Sequence, residues 1–235
     1  VLLTGSDGDY RLWLSRDRGF NFDEIYDLDG FRGDVWNPRD GSDELYLMSG
    51  SGIQYSDDLG DDWTDMGPVP GGAGRVELAG SEAGGPTFYA VVNRDDVYRS
   101  GDAGASWEHK AEVFDYWGTV AASIVDEDLY AWGGVEVHRT FNGGDSFDVV
   151  NGWGAYYSDP RNRLHADIPG MDVVPDGEGG EIWYVSTDGG LYASPDLRSV
   201  ENLSRLTCQS RENTAVITAE IVEGAREALD RLKTV

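Results

Sequence analysis

Several things are scarce in this chain, and each scarcity excludes something. A single cysteine, Cys208, rules out an intrachain disulfide and leaves no second thiol for a metal pair or a redox couple. Apolar runs are short. None approaches the roughly 20 residues that cross a bilayer, so no membrane insertion is expected. The opening stretch VLLTGSDGDY has neither the basic start nor the apolar middle of a secretion signal, as expected of a soluble chain. Basic residues are few as well, 18 Lys and Arg against 44 Asp and Glu, for a formal charge of -26. That field repels phosphate backbones and anionic headgroups, which excludes nucleic acid and acidic membrane as partners. High salt, a cation-rich extracellular medium and a basic partner are all compatible with the excess, and composition does not choose among them. No nucleophile elbow, phosphate loop, zinc-ligand spacing or basic aromatic stripe occurs.

What is plentiful is glycine and aromatic side chains: 32 Gly, 8 Trp and 12 Tyr, with only 8 Pro, in 235 residues. This suits many short aromatic strands joined by tight turns, and a chain of this length folds readily as one all-β unit. Self-similarity makes the reading specific. SRDRGFNF from Ser15, SDDLGDDW from Ser56, SGDAGASW from Ser100, TFNGGDSF from Thr140 and SPDLRSVE from Ser194 are related octets spaced by 41, 44, 40 and 54 residues. A period near 40 to 45 with strand-like flanks is that of a four-stranded propeller blade.

Within each unit the octet falls between the third and fourth strand-like runs. There a turn needs positive φ, which Gly19, Gly60, Gly104 and Gly144 supply. It also needs local acceptors for backbone N–H groups, available from Ser15 and Asp17, Ser56 and Asp58, Ser100 and Asp102, Thr140 and Asn142, and Ser194 and Asp196. Phe22, Trp63, Trp107 and Phe147 then open the outer strand and can bury their rings. The clustered carboxylates are accordingly turn-formers. The alternative is a calcium contact through Asp57, Asp61 or Asp62, although the spacing lacks the EF-hand ligand pattern. No cofactor is expected otherwise.

These octets resemble Asp boxes, Ser-x-Asp-x-Gly-x-x-Trp, the repeats of sialidases, xyloglucan-cleaving glucanases, sortilin-type receptors and photosystem assembly propellers. Two copies match at all four positions and two match with conservative swaps. The fifth has Arg198 and Glu201 where Gly and Trp belong. The resemblance implies an all-β propeller and says nothing specific about activity. The five octets give about five four-stranded blades, whereas the relatives resemble rings of six, seven or ten, so the alternative reading is one part of a larger propeller or assembly. Residues 1–222 form the expected propeller. Its first unit lacks a first strand, and NTAVITAEIV, residues 213–222, is β-branched enough to return as that strand. Residues 218–232 also fit an amphipathic helix, so 223–235 read as a helical tail and a potential assembly contact.

Function is expected on the face formed by the connections from strand four to the next strand one and from strand two to strand three. The longest such connection is residues 151–170, a loop of a length that is usually functional. It supplies Trp153, Tyr156, Tyr157, Arg161, His165 and Asp167, and other loops add Trp36, Trp117 and Asp188. Rings beside carboxylates and guanidinium groups suit a glycan or a protein partner, and they suit loop packing equally well. HADIPGMDV followed by STDGGLYASPD is similar to a segment of secreted Asp-box proteins and of the xyloglucan-cleaving glucanases. The sequence therefore supports an extracellular, periplasmic or surface-associated binding module. The alternative is a glycoside hydrolase with Asp167 and Asp188 as its carboxylates. A sialidase would need arginines and a Tyr–Glu pair in a motif that is missing here, and the acidic balance opposes such a ligand.

Overall fold

The structure is a computed structural model that describes residues 2–6, 10–28, 32–39, 41–50, 52–72 and 74–203. The proposed closing strand 213–222, the helical tail and Cys208 lie outside the described residues. Five antiparallel sheets follow one another along the chain. The first holds β1 (Leu2–Ser6), β2 (Tyr10–Leu14) and β3 (Asp23–Asp27). The second holds β4 (Asp34–Trp36), β5 (Leu45–Ser49), β6 (Gly52–Ser56) and β7 (Thr64–Gly67). The third holds β8 (Val76–Ser81), β9 (Thr87–Val92), β10 (Asp96–Ser100) and β11 (Glu108–Glu112). The fourth holds β12 (Thr119–Ala122), β13 (Tyr130–Gly133), β14 (Val137–Thr140) and β15 (Asp148–Val149). The fifth holds β16 (Gly170–Pro175), β17 (Glu181–Thr187), β18 (Gly190–Ser194) and β19 (Glu201–Asn202).

Each sheet pairs strictly in chain order, and the first strands β4, β8, β12 and β16 touch in succession around an axis. This is a β-propeller, as the repeat period implies. The first sheet has three strands because β1 takes the second place of its blade, directly before the octet-linked pair β2 and β3.

The core lies between consecutive blades. Leu12, Leu28 and Leu47 join blades one and two, while Tyr46, Met48, Val76, Phe88 and Ala90 join two and three. Tyr89, Tyr130 and Trp132 join three and four, and Ala131, Val137, Trp183 and Tyr192 join four and five. Alternating side chains of each strand face opposite neighbours, so each middle blade contributes to two of these layers. Between the inner strands β4 and β8 the fit is close: a Cβ on Gly80 would come within 2.4 Å of the Trp36 ring.

All four complete octets fold by one set of bonds. The hydroxyl of Ser15, Ser56, Ser100 or Thr140 donates to the carboxylate or amide oxygen two residues on, at 2.8 Å in every copy. It accepts the N–H of the glycine four residues on, at 2.7 to 3.0 Å. Asp17, Asp58, Asp102 and Asn142 then accept the backbone N–H four residues beyond themselves. The glycines sit at φ 87 to 95°. The residue before each glycine, Arg18, Leu59, Ala103 or Gly143, also has positive φ. The sequence pattern did not disclose that second left-handed position, because three of its four occupants are not glycine.

The octet aromatics pack toward the preceding blade. Trp63 lies edge-on to Tyr26 at 5.1 Å and donates its indole N–H to Ile25 O at 3.1 Å. Phe22 stays 37% exposed, since no described blade precedes it. In the degenerate fifth copy Leu197 takes positive φ, its N–H goes to Ser194 Oγ at 2.7 Å, and its side chain is buried instead of an aromatic.

Candidate functional site

Antiparallel order places the octet turns and the first-to-second-strand connections on one face of the ring. The remaining connections lie on the other, termed here the loop face. The residue 151–170 connection is built there and is not structureless: Trp153–Ser158 form a 3-10 helix. Asn151 clasps its ends, its Oδ1 accepting Leu164 N–H at 2.9 Å and its Nδ2 donating to Leu164 O at 3.1 Å. Glu136 Oε1 accepts the N–H of Trp153 at 2.9 Å, which ties the start of the helix to the β13–β14 hairpin.

Within this clasp Tyr156 is buried and meets His165 edge-on at 4.5 Å, while His165 Nδ1 lies 3.1 Å from Ala166 O. Gly189 is required beside it, since a Cβ there would fall 2.5 Å from that of His165. Tyr156 and His165 thus support the two rings that face water. Trp153 is 51% and Tyr157 68% exposed, and the pair stand edge to face at 6.1 Å. Trp117, half exposed, and Phe114, edge-on to His138 at 4.8 Å, lie on the connection before β12 on the same face.

The segment 166–168 is laid between two hairpins. Asp167 N–H donates to Val135 O at 3.0 Å, Ile168 N–H to Gly134 O at 2.9 Å, and Asp188 N–H to Ala166 O at 3.3 Å. Asp167 and Asp188 are therefore neighbours around Ala166, with Asp167 in the left-handed region at φ 64° and Asp188 exposed. Two residues named with this group lie elsewhere. Trp36 ends β4 at the octet-turn side, packed on Phe88 at 5.3 Å and Tyr46 at 5.8 Å. Arg161 is paired with Glu201 at 2.8 Å along the outer strand of blade five, where Asn202 N–H bonds to Arg161 O.

A second cluster, unmarked by any motif, occupies the mouth of the axis on the loop face. Asp34, at the start of β4, accepts Val35 N–H at 2.9 Å and Leu78 N–H at 3.0 Å. Burial pushes its carboxyl above the usual range, against those two bonds. Glu77, on β8, pairs through Oε1 with Arg75, stands 4.0 Å from Arg32 and accepts the Tyr116 hydroxyl at Oε2. Burial first, then the Glu77 charge, raises the Tyr116 phenol far above its ordinary value, so it stays a donor. The one available signal was a glutamate inside the otherwise apolar run VELAGS, which a fully buried strand tolerates only when the charge is paired.

Among the described residues no group of three or more His, Cys, Asp or Glu side chains is arranged to hold a metal ion, and no helix is long and apolar enough to cross a membrane. Asp61 is paired with Arg16 at 3.2 Å.

No family model and no curated protein sequence matches the chain. Its fold has counterparts among solved structures. The GH74 enzyme of Niastella koreensis is similar over 88% of this chain and 30% of its own, at 17% identity and TM-score 0.55. A chain of the nidogen/laminin complex is similar over 83% and 73%, at 11% identity and TM-score 0.55. YCF48 bound to D1 peptide is similar over 82% and 58%, at 16% identity and TM-score 0.53. The GH74 and YCF48 neighbours are β-propellers, and at these identities the likeness is one of fold. The chain spans under a third of the length of the GH74 enzyme and under two thirds of that of YCF48.

Proposed function

We propose that this propeller is a binding module, extracellular or surface-associated, that engages a protein partner through its loop face. The observation that carries the reading is the pair Trp153 and Tyr157, two large rings held in water by the buried Tyr156 and its partner His165. Rigid exposed aromatics offer contact area at little entropic cost, which is how anchor residues of interfaces work. Two of the fold neighbours were solved with a protein or peptide partner, which supports the same reading by analogy.

The test pairs binding with stability. Trp153→Ala and Tyr157→Ala should each weaken binding on peptide and glycan arrays about tenfold or more while Tm stays within about 2 °C, because neither ring is core. Equal loss of fold and binding would show the rings to be packing elements, and selective retention on glycans would replace the protein partner by a sugar.

A second reading has its own observation: the Asp188 N–H to Ala166 O bond makes neighbours of Asp167 and Asp188, and a GH74 enzyme shares the fold. A glycoside hydrolase needs two carboxyl groups about 5 to 9.5 Å apart across the scissile bond. Reducing-sugar release from a panel of β-glucans, abolished by Asp188→Asn, would establish it; no release across the panel would eliminate it.

A further inference from the structure

Between the outer edges of blades four and five lies a cavity of about 300 Å³, at the small end of the range of ligand sites. Val150 and Val200, both packed on the layer between these blades, form its apolar side. Asn162, Arg163, Arg198 and Ser199 form its polar side. Among the described residues the lining has two guanidinium groups and no carboxylate, in a chain of formal charge -26. The cavity thus runs against the composition of the chain.

Both arginines stand on anchored backbone. Arg161 O accepts Asn202 N–H at 2.8 Å on blade five, and the Asn151 amide holds Leu164 at 2.9 and 3.1 Å, so the chain at Arg163 is fixed from both sides. The Arg163 side chain is exposed and makes no hydrogen bond or ion pair among the described residues. Arg198 belongs to the fifth octet: its N–H donates to Asp196 Oδ1 at 2.9 Å, and its guanidinium stands 4.1 Å over the Phe141 ring. Arg139 lies over the same ring at 5.2 Å, with Nε and Nη1 buried and without an acceptor. The acids nearby are already engaged. Asp196 meets Arg198 at 3.4 Å, both oxygens of Asp159 accept the Asn162 amide, Glu201 pairs with Arg161, and Asp148 faces Arg139 across the β14–β15 pair.

We propose that this cavity binds a small hydroxylated carboxylate, the chemistry of a sugar acid, with its carboxylate between Arg163 and Arg198. The planar guanidinium fork matches a carboxylate with two parallel hydrogen bonds. The Asn162 Nδ2 is spent on Asp159, so Asn162 Oδ1 and the Ser199 hydroxyl remain for ligand hydroxyls. Val150 and Val200 offer an apolar wall to the C–H face of a sugar ring. A single charge suits the site better than a polyanion, whose further charges would meet the acidic surface around it. The cavity shares no side chain with the Trp153–Tyr157 pair, so this inference does not depend on the loop face being the binding face.

The probe is glucuronate, with neutral glucuronamide as its counterpart, titrated into the full chain at about 0.15 M salt and followed by NMR. Glucuronate should bind about tenfold more tightly than glucuronamide, the size of one charge-assisted pair. Arg163→Gln should erase that preference and leave Tm unchanged, because the side chain makes no bond among the described residues. Arg198→Gln should reduce the preference, and the Arg163 variant keeps the inference testable even where Arg198→Gln disturbs the fifth octet. Arg161→Gln removes the same charge from a side chain paired with Glu201 outside this cavity, and it should leave the preference intact. Equal binding of the two probes, no binding of either, a preference that survives Arg163→Gln, or one lost equally in Arg161→Gln would each overturn the proposal. Acetate or sulfate competing as well as glucuronate would overturn the assignment to a sugar acid. Trp153→Ala should leave the glucuronate preference unchanged, so failure of the loop-face reading and failure of this one are told apart.

Discussion

At the scale of single residues, the octet aspartates combine structural work with a pH signature. The backbone N–H and the side-chain amide of Asn21, then the Ser15 hydroxyl, hold the Asp17 carboxyl down at about 2. Asp58 is lowered chiefly by the Asp62 N–H, and Asp102 by the hydroxyl and N–H of Ser106. In an unfolded chain these groups titrate near 3.9. A depressed folded pKa means that the stabilisation is complete above the unfolded value and is lost as pH falls through the folded one. Stability should therefore decline from about pH 4 toward pH 2, monitored by urea midpoints across that range. Asp17→Asn, Asp58→Asn and Asp102→Asn together should flatten the decline without unfolding the protein. The fourth octet is the internal precedent, since Asn142 makes the same bond to Ser146 N–H at 3.0 Å. Glu181 is buried. Its two oxygens accept the Ser123 hydroxyl, the Ile124 N–H and the Trp183 indole N–H at 2.8 to 2.9 Å, which ties blade five to blade four. Glu181→Ala strands three buried donors and should cost about 3 to 5 kcal/mol in urea unfolding. A loss below about 1 kcal/mol would mean that water replaces the carboxylate at little cost.

At the scale of the element, the octet is a turn with two consecutive left-handed residues, and only the second is reliably glycine. Arg18 occupies the first such position at φ 65° with its side chain exposed, where the fourth copy has Gly143 at φ 66°. An L-residue there carries a penalty of about 1 to 2 kcal/mol that glycine avoids, offset in part by the greater unfolded-chain entropy of glycine. Arg18→Gly should raise the thermal midpoint by a few degrees, whereas Leu197→Gly should lower it, because Leu197 is fully buried between blades four and five. The contrast also explains what the sequence disclosed. The blade period was legible because the octets recur, and the octet turns because their bonds span only four residues; residues 151–170 were legible as a long connection, but not their 3-10 helix or the Asn151 clasp. The axial mouth was not, since Asp34, Arg75, Glu77 and Tyr116 come together only once neighbouring blades are wound about an axis. Trp36 illustrates the same limit: its position at the end of the connection DLDGFRGDVW suggested the loop face, but β4 is three residues long and delivers the ring to the opposite side.

At the scale of the whole molecule, the described residues form four interblade layers, so repulsion between blades acts directly against the contacts that hold them together. Each blade carries part of an excess of 26 negative charges. The ion pairs that bridge neighbouring blades, such as Arg16–Asp61 at 3.2 Å and Lys110–Asp145 at 2.9 Å, are few and at least partly exposed. Exposed pairs of this kind contribute about 0 to 1 kcal/mol each, too little to offset a net repulsion summed over the surface. Added salt weakens both effects, but it removes the repulsion among many unpaired carboxylates while sacrificing only a handful of pairs. Shortening the Debye length from about 30 Å at 0.01 M to about 3 Å at 1 M should therefore raise Tm steadily, with most of the gain complete once the length falls below the spacing of neighbouring carboxylates. The charge-mediated part depends on ionic strength and not on the identity of the anion, so sodium chloride and sodium nitrate should give the same curve at equal ionic strength. A Tm that stays flat or falls with salt would show that specific pairs, and not net repulsion, govern the stability of the ring.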